Sequence, residues 1–191
     1  MYDRWCSSID KITQQFQTAF GTLTQDQINW KPEPDAWSIA QNIDHIITVN
    51  KTYFPVIKNL RAGHYKVPFH ARFSWVALLL GRVVLNAVKP DRKKKIKTFP
   101  IWEPSSSSLP SNLVDQFSLH QIELKTVIQT CSDLVQRNTV ISSPANKSIV
   151  YKLETAFDII VAHELRHYEQ TKEVLILLKN HNSTSPLKSG N

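Results

Sequence analysis

Glycine is nearly absent from this chain. Four glycines in 191 residues are too few for the many tight turns of an all-β fold, so the shortage favours helices joined by a few connections. Cysteine is scarcer still. Cys6 and Cys131 are the only two and form no Cys-x-x-Cys pair, which argues against a disulfide framework or a thiolate metal site and makes a reducing cytoplasm the expected location. Long apolar runs are missing too. The most apolar stretch, residues 73–88, is interrupted by Gly81, Arg82 and Asn86 and falls short of the ~18 uninterrupted residues of a membrane span. The opening Met1-Tyr2-Asp3-Arg4-Trp5 has no apolar core of signal-peptide length. No internal repeat is evident.

What remains is globular in composition, at 41% hydrophobic and 20% charged residues. The length suits one domain with a sizeable core, expected over residues 1–180 and followed by a flexible tail over 181–191. The formal net charge is +7. Residues 89–97 hold six basic side chains and one acid, a local +5 that leaves +2 for the rest of the chain. So local an excess does not describe a domain built to hold nucleic acid, and no nucleic-acid motif accompanies it. A solvated loop, an acidic ligand and an anionic membrane surface remain as readings. The apolar segment before the run suits a core, a dimer interface or, through 73–97 together, membrane-surface contact.

Hydrophobic spacing predicts four long helices. Trp5, Ile9, Ile12, Phe16 and Phe20 mark the first, which Gly21 ends. A connection over 23–37 carries Trp30 and Trp37, expected to cover the end of a core. Ser38 and Gln41 form a capping box that opens the second helix, bent or restarted at Pro55 and ending near Gly63. Residues 64–110 form an irregular crossover holding the extra apolar helix, with 89–109 extended along the surface. Leu113, Phe117, His120, Leu124 and Ile128 mark a third helix over 110–131. A polar connection over 132–152 leads to the fourth helix, from about 153 to 180. The expected fold is therefore all-α, a four-helix bundle with a long crossover between its second and third helices.

The fourth helix carries the most informative residues. Its stripe runs Ala156, Ile160, His163, His167, Gln170, Val174, Leu177, apolar at both ends and polar in the middle. His163 and His167 lie one turn apart on one face, and His45 stands in the middle of the second helix. Three neutral imidazoles and an open position would make a catalytic metal site. The alternative is that these histidines face a solvated groove or bond to backbone carbonyls. His163-Glu164-x-x-His167 also matches the zincin protease pattern. Gln170 and Glu173 stand where one zincin class needs glycine and histidine, and no acid follows Asn180 to serve as the distant ligand of another. Asp44, Glu164 and Gln170 are the candidates for groups that orient a ligand around the triad.

The segments Trp30-Lys31-Pro32, Asp35-Ala36-Trp37-Ser38-Ile39-Ala40-Gln41-Asn42-Ile43-Asp44-His45 and Ala162-His163-Glu164-Leu165-Arg166-His167-Tyr168-Glu169-Gln170 together resemble the DinB/YfiT-like superfamily. The order and spacing of the four helices agree with it, and the resemblance is weakest over 64–110. It implies a four-helix bundle in which His45, His163 and His167 bind a divalent metal, often zinc or nickel. Characterised members of that superfamily include transferases of low-molecular-weight thiols such as bacillithiol and a mycothiol-dependent maleylpyruvate isomerase, and many form homodimers. The resemblance therefore implies an enzyme that transfers a low-molecular-weight thiol to a small electrophilic substrate, or runs a related reaction, and a homodimer. A metal-dependent hydrolase and a non-catalytic, metal-stabilised binding or dimerisation module are the alternatives. The segment 73–97 departs from the family pattern.

Overall fold

The computed structural model describes residues 3–91 and 98–184. Its elements in chain order are α1 (Asp3–Phe20), α2 (Gln25–Asn29), α3 (Ile39–Lys51), α4 (Tyr53–Arg61), α5 (Ser74–Val88), α6 (Leu113–Gln129), α7 (Ser132–Gln136), β1 (Val140–Ser142), β2 (Val150–Lys152) and α8 (Leu153–Thr184). The expected bundle is present. Each of α1 and α3 packs against both α6 and α8, and α5 is added outside against β2 and α8.

Local chemistry sets most boundaries. Ser38 caps α3 with the reciprocal pair expected of it: its hydroxyl accepts from the Gln41 amide, and Gln41 Oε1 accepts from the Ser38 amide. Thr24 and Gln27 repeat that box at α2, a short helix in what reads from sequence as plain connection. The second predicted helix breaks at Thr52, three residues before Pro55, and restarts as α4. A proline at 55 cannot donate to the carbonyl one turn back, and its ring crowds that turn. α4 ends in a Schellman motif: Gly63 has φ 70°, its amide bonds Leu60 O, and the His64 amide bonds Asn59 O.

Three sequence readings need correction. The connection 132–152 is not simply polar and irregular. It holds α7 and a small antiparallel hairpin pairing Val140 with Lys152, Ile141 with Tyr151 and Ser142 with Val150. Three-residue strands are too short to show a period, although Val140, Ile141, Val150 and Tyr151 suit a pleated surface. The return leg of the crossover is not merely surface-hugging. Leu109 is buried; its amide and carbonyl bond the Asn29 side chain, and the carbonyl also accepts from Gln25. Helix α8 runs to Thr184, so the first four residues of the expected tail are helical, and 185–191 lie outside the described residues. Most of the basic run, Arg92–Lys97, lies outside them as well.

The core forms two main clusters stacked along the bundle. One gathers Trp5, Ile9, Tyr53, Ile128, Phe157 and Ile160. The other gathers Ile12, Phe16, Phe20, Ile43, Phe117 and Val174. Phe16 makes ring contacts with Phe20, Phe117 and Tyr168 at 5.4, 4.7 and 5.3 Å. Such tilted and edge-on pairs suit the aromatic quadrupole. Trp5 closes the far end, donating from Nε1 to Asp158 at 2.7 Å while packing edge-on against Phe157. Gly81 lets α5 approach closely: a Cβ there would sit 3.0 Å from the Tyr151 Cβ and 3.1 Å from the Thr155 methyl.

Candidate metal centre

Helices α3 and α8 face each other, and that contact sets the site. His45 projects from α3, and His163 and His167 from α8. One ring nitrogen of each lies within 4.8 Å of the others. The ring centroids are 5.0 Å apart for His45 and His163, 4.6 Å for His45 and His167, and 4.5 Å for His163 and His167. His45 and His167 are buried. Trp37 covers them, its ring 4.9 Å from His45 and stacked at 6.1 Å on His167. It thus covers the polar site rather than an apolar end.

The hydrogen bonds fix which nitrogens are free. His45 Nδ1 lies 2.5 Å from the Trp102 carbonyl oxygen. A carbonyl can only accept, so Nδ1 carries the proton and Nε2 keeps its lone pair. His167 Nδ1 lies 2.8 Å from Asn42 Oδ1. Asn42 is held the right way round because its Nδ2 donates to Ser38 O at 2.9 Å; the proton again sits on Nδ1 and Nε2 is free. His163 Nε2 approaches His45 Nε2 at 3.1 Å. With a lone pair on His45, His163 must donate there, and a cation would take the place of that proton. The Nδ1 of His163 is shielded from solvent and meets no partner among the described residues.

Electrostatics points the same way. Burial, as the leading cause, holds the pKa values of His163 and His167 well below the usual imidazole range, and neighbouring histidines and Arg166 add to it. Burial also lowers His45, partly opposed by the Trp102 carbonyl. All three are thus neutral near pH 7, the form that ligates metal. A donor set of three neutral imidazoles, two of them oriented by oxygen acceptors, fits a divalent transition metal.

The other sequence candidates divide. Asp44 makes its hydrogen bond outside the triad: its Oδ2 accepts from the Ser105 amide at 2.7 Å, while its charge partly opposes the lowering of the His45 pKa. That bond pins the crossover three residues beyond Trp102, so Asp44 helps place the carbonyl that orients His45. Glu164 points elsewhere. It is fully buried and held by Asn50 Nδ2 at 2.7 Å and Gln121 Nε2 at 2.8 Å. Burial raises its pKa to about 7, against the pull of those two amides. Gln170 is half-buried and is not among the triad's hydrogen-bond partners. The predicted stripe drifts there, since Thr171 and Leu178 are buried while Leu177 is exposed.

Two orienting groups escape the sequence reading. Asn42 had a usable signal, a polar side chain three residues before His45 and therefore on the same face. Trp102 acts through its backbone carbonyl, which no side-chain pattern announces. Replacing Asn42 by leucine is expected to weaken zinc binding by about 10–100-fold while helical content stays near wild type. A competition titration against a chromophoric chelator reads this directly, and unchanged affinity would show that Asn42 does not orient His167.

The family model described as the DinB superfamily matches residues 8–171. Among solved structures, YfiT from Bacillus subtilis, described as a probable metal-dependent hydrolase with an unusual four-helix bundle topology, matches with a TM-score of 0.55 at 14% identity, over 96% of this chain and 89% of that one. No curated protein sequence matches.

Proposed function

Since the chain belongs to the DinB superfamily, we propose that it is a metal-dependent enzyme in which His45, His163 and His167 hold one divalent transition ion, zinc or nickel. The observation that carries this is the pair of Nδ1 hydrogen bonds. They leave the Nε2 lone pairs of His45 and His167 free where a third imidazole converges. A divalent cation held by three imidazoles supplies a Lewis-acidic open position that lowers the pKa of a thiol or water bound there. The chain's own groups do the rest. Asn42 and the Trp102 carbonyl hold the ring orientations. Trp37 shields one side of the site from water. Asp44 fixes the crossover against α3.

The reaction that fits best is transfer of a low-molecular-weight thiol to a small electrophile. The donor group contains no carboxylate. Asp44 is engaged with a backbone amide and Glu164 is clamped by two side-chain amides, so among the described residues neither carboxylate stands ready as a general base beside the triad. A thiol needs less help than water, because its unperturbed pKa of roughly 8.5 already lies close to neutrality. Hydrolysis is the second reading, supported by the description of YfiT.

The test uses protein loaded with zinc or nickel, beside a His167→Ala variant. Thiol-dependent consumption of an alkyl halide or epoxide, lost in the variant, is the expected result. Thiol-independent hydrolysis of activated esters and amides, lost in the variant, would transfer the assignment to a hydrolase. Stoichiometric metal with neither activity would overturn the enzymatic reading and leave a metal-stabilised module.

A further inference from the structure

Helix α5 presents an apolar face that the bundle does not use. On its inner side Gly81 packs on Tyr151 and Thr155, and Ala77 clusters with Ala71 and Val150. Its outer side shows Trp75, Leu78, Leu79 and Val83, 64%, 53%, 53% and 58% exposed. Trp75, Leu79 and Val83 fall at steps of four, and Leu78 stands three beyond Trp75, so the four share one broad face. Just before the helix, Phe69 and Phe73 extend the stripe with rings 5.8 Å apart, and the Arg72 guanidinium lies 5.1 Å over Phe69.

Charge says what this face fits. From His45 to Pro90 the chain holds seven basic residues, Lys51, Lys58, Arg61, Lys66, Arg72, Arg82 and Lys89, and no aspartate or glutamate. Arg61 is engaged by Asp133. Arg72, Arg82 and Lys89 are exposed; Arg82, three beyond Leu79 and four beyond Leu78, lies within the stripe, and Arg72 and Lys89 stand just before and just after the helix. A second copy meeting this face through a two-fold axis would set the patch against itself. The basic side chains of both copies, Arg72, Arg82 and Lys89, would then be brought into one interface with only Asp91, two residues beyond Lys89, to offset them. A surface of fixed negative charge over an apolar interior satisfies both halves of the pattern, and an anionic bilayer is such a surface. No helix among the described residues is long and apolar enough to cross a membrane, and α5 spans only about 22 Å.

We propose that α5, with Phe69 and Phe73, docks the protein on anionic lipid bilayers. The helix lies in the interfacial plane. Phe69, Trp75, Leu78, Leu79 and Val83 enter the acyl boundary, and Arg72, Arg82 and Lys89 meet lipid phosphates. This surface belongs to α5 and its entry turn, not to the histidine triad, so the proposal stands or falls independently of the catalytic one.

The experiment is co-sedimentation of the full chain with vesicles of phosphatidylcholine alone and of equal parts phosphatidylcholine and phosphatidylglycerol. Three proteins are compared: wild type, Trp75→Ser/Leu79→Ser and Arg72→Gln/Arg82→Gln. All four replaced residues are exposed, and circular dichroism confirms the fold. Wild type is expected on the phosphatidylglycerol vesicles and not on phosphatidylcholine, with binding that weakens as salt rises. Each double variant should bind more weakly, the serine pair by at least ~10-fold and the arginine pair by about 30-fold. Failure to bind phosphatidylglycerol vesicles at low salt would overturn the proposal, as would wild-type binding by the serine pair. A dimer in sedimentation velocity that the serine pair dissolves would assign the face to a second copy and overturn it as well.

Discussion

A His163→Ala protein is expected to lose metal binding by more than about 100-fold, beyond the 10–100-fold typical of removing an orienting group, while remaining helical. Two imidazoles would remain, and the partner of His45 Nε2 would be gone. The truncation removes no residue of either apolar cluster, so it should not unfold the bundle. Elemental analysis of wild type beside the variant reads the effect, with circular dichroism reporting the fold. Equal metal content in both would show that the ion lies elsewhere. A metal-free wild type that also refuses zinc and nickel on titration would show that the three imidazoles do not form a metal site.

The second large effect concerns a histidine outside the site. His120 on α6 is buried, stacks on Phe54 at 5.7 Å, and meets no partner through either ring nitrogen among the described residues. Burial, helped by nearby Lys51, lowers its pKa to about 4. Below pH 6.5 the unfolded chain therefore takes up a proton that the folded chain refuses. The stability this group leaves intact is fully present above pH 6.5 and is lost as pH falls towards 4, by up to about 3 kcal/mol. Leucine at 120 removes both the unpaired nitrogens and the titration. His120→Leu is expected to be more stable by about 1–3 kcal/mol at pH 7.5, with an advantage that grows by a further ~2–3 kcal/mol by pH 4.5. Urea unfolding of metal-free protein at the two pH values measures the difference, in which the other titrating groups cancel. The same advantage at both values would mean that His120 titrates normally in the folded state. Against the ~5–15 kcal/mol of a typical domain, either component is large.

The sequence reveals the four bundle helices because each buries a stripe wide enough to show a 3.6-residue period. Trp5 to Phe20 on α1 and Leu113 to Ile128 on α6 occupy the core as their spacing predicts. The triad is legible for a related reason. His163 and His167 interrupt an otherwise apolar stripe one turn apart, and His45 does the same on the helix opposite. Legibility fails where the determining group carries no side-chain signature. The Trp102 carbonyl is one case and the three-residue strands are another. It also fails along α8, whose core line runs through Phe157, Glu164, Thr171 and Leu178 at seven-residue steps. A stripe drawn through the histidines leaves that line by Gln170 and Leu177. Glu164 adjoins His163 in sequence, but the step of about 100° around the helix means that it need not face the metal, and the structure places it among Asn50 and Gln121, partners on other helices that no spacing announces.

The triad joins α3 to α8, with His45 and His163 separated by 118 positions. During synthesis His45 leaves the ribosome long before either companion exists. A chain interrupted anywhere between the two helices holds only one of the three triad imidazoles. Metal capture at the proposed site would therefore be a late event in the biogenesis of this protein: it would follow emergence of the final helix and would fasten the first third of the chain to the last.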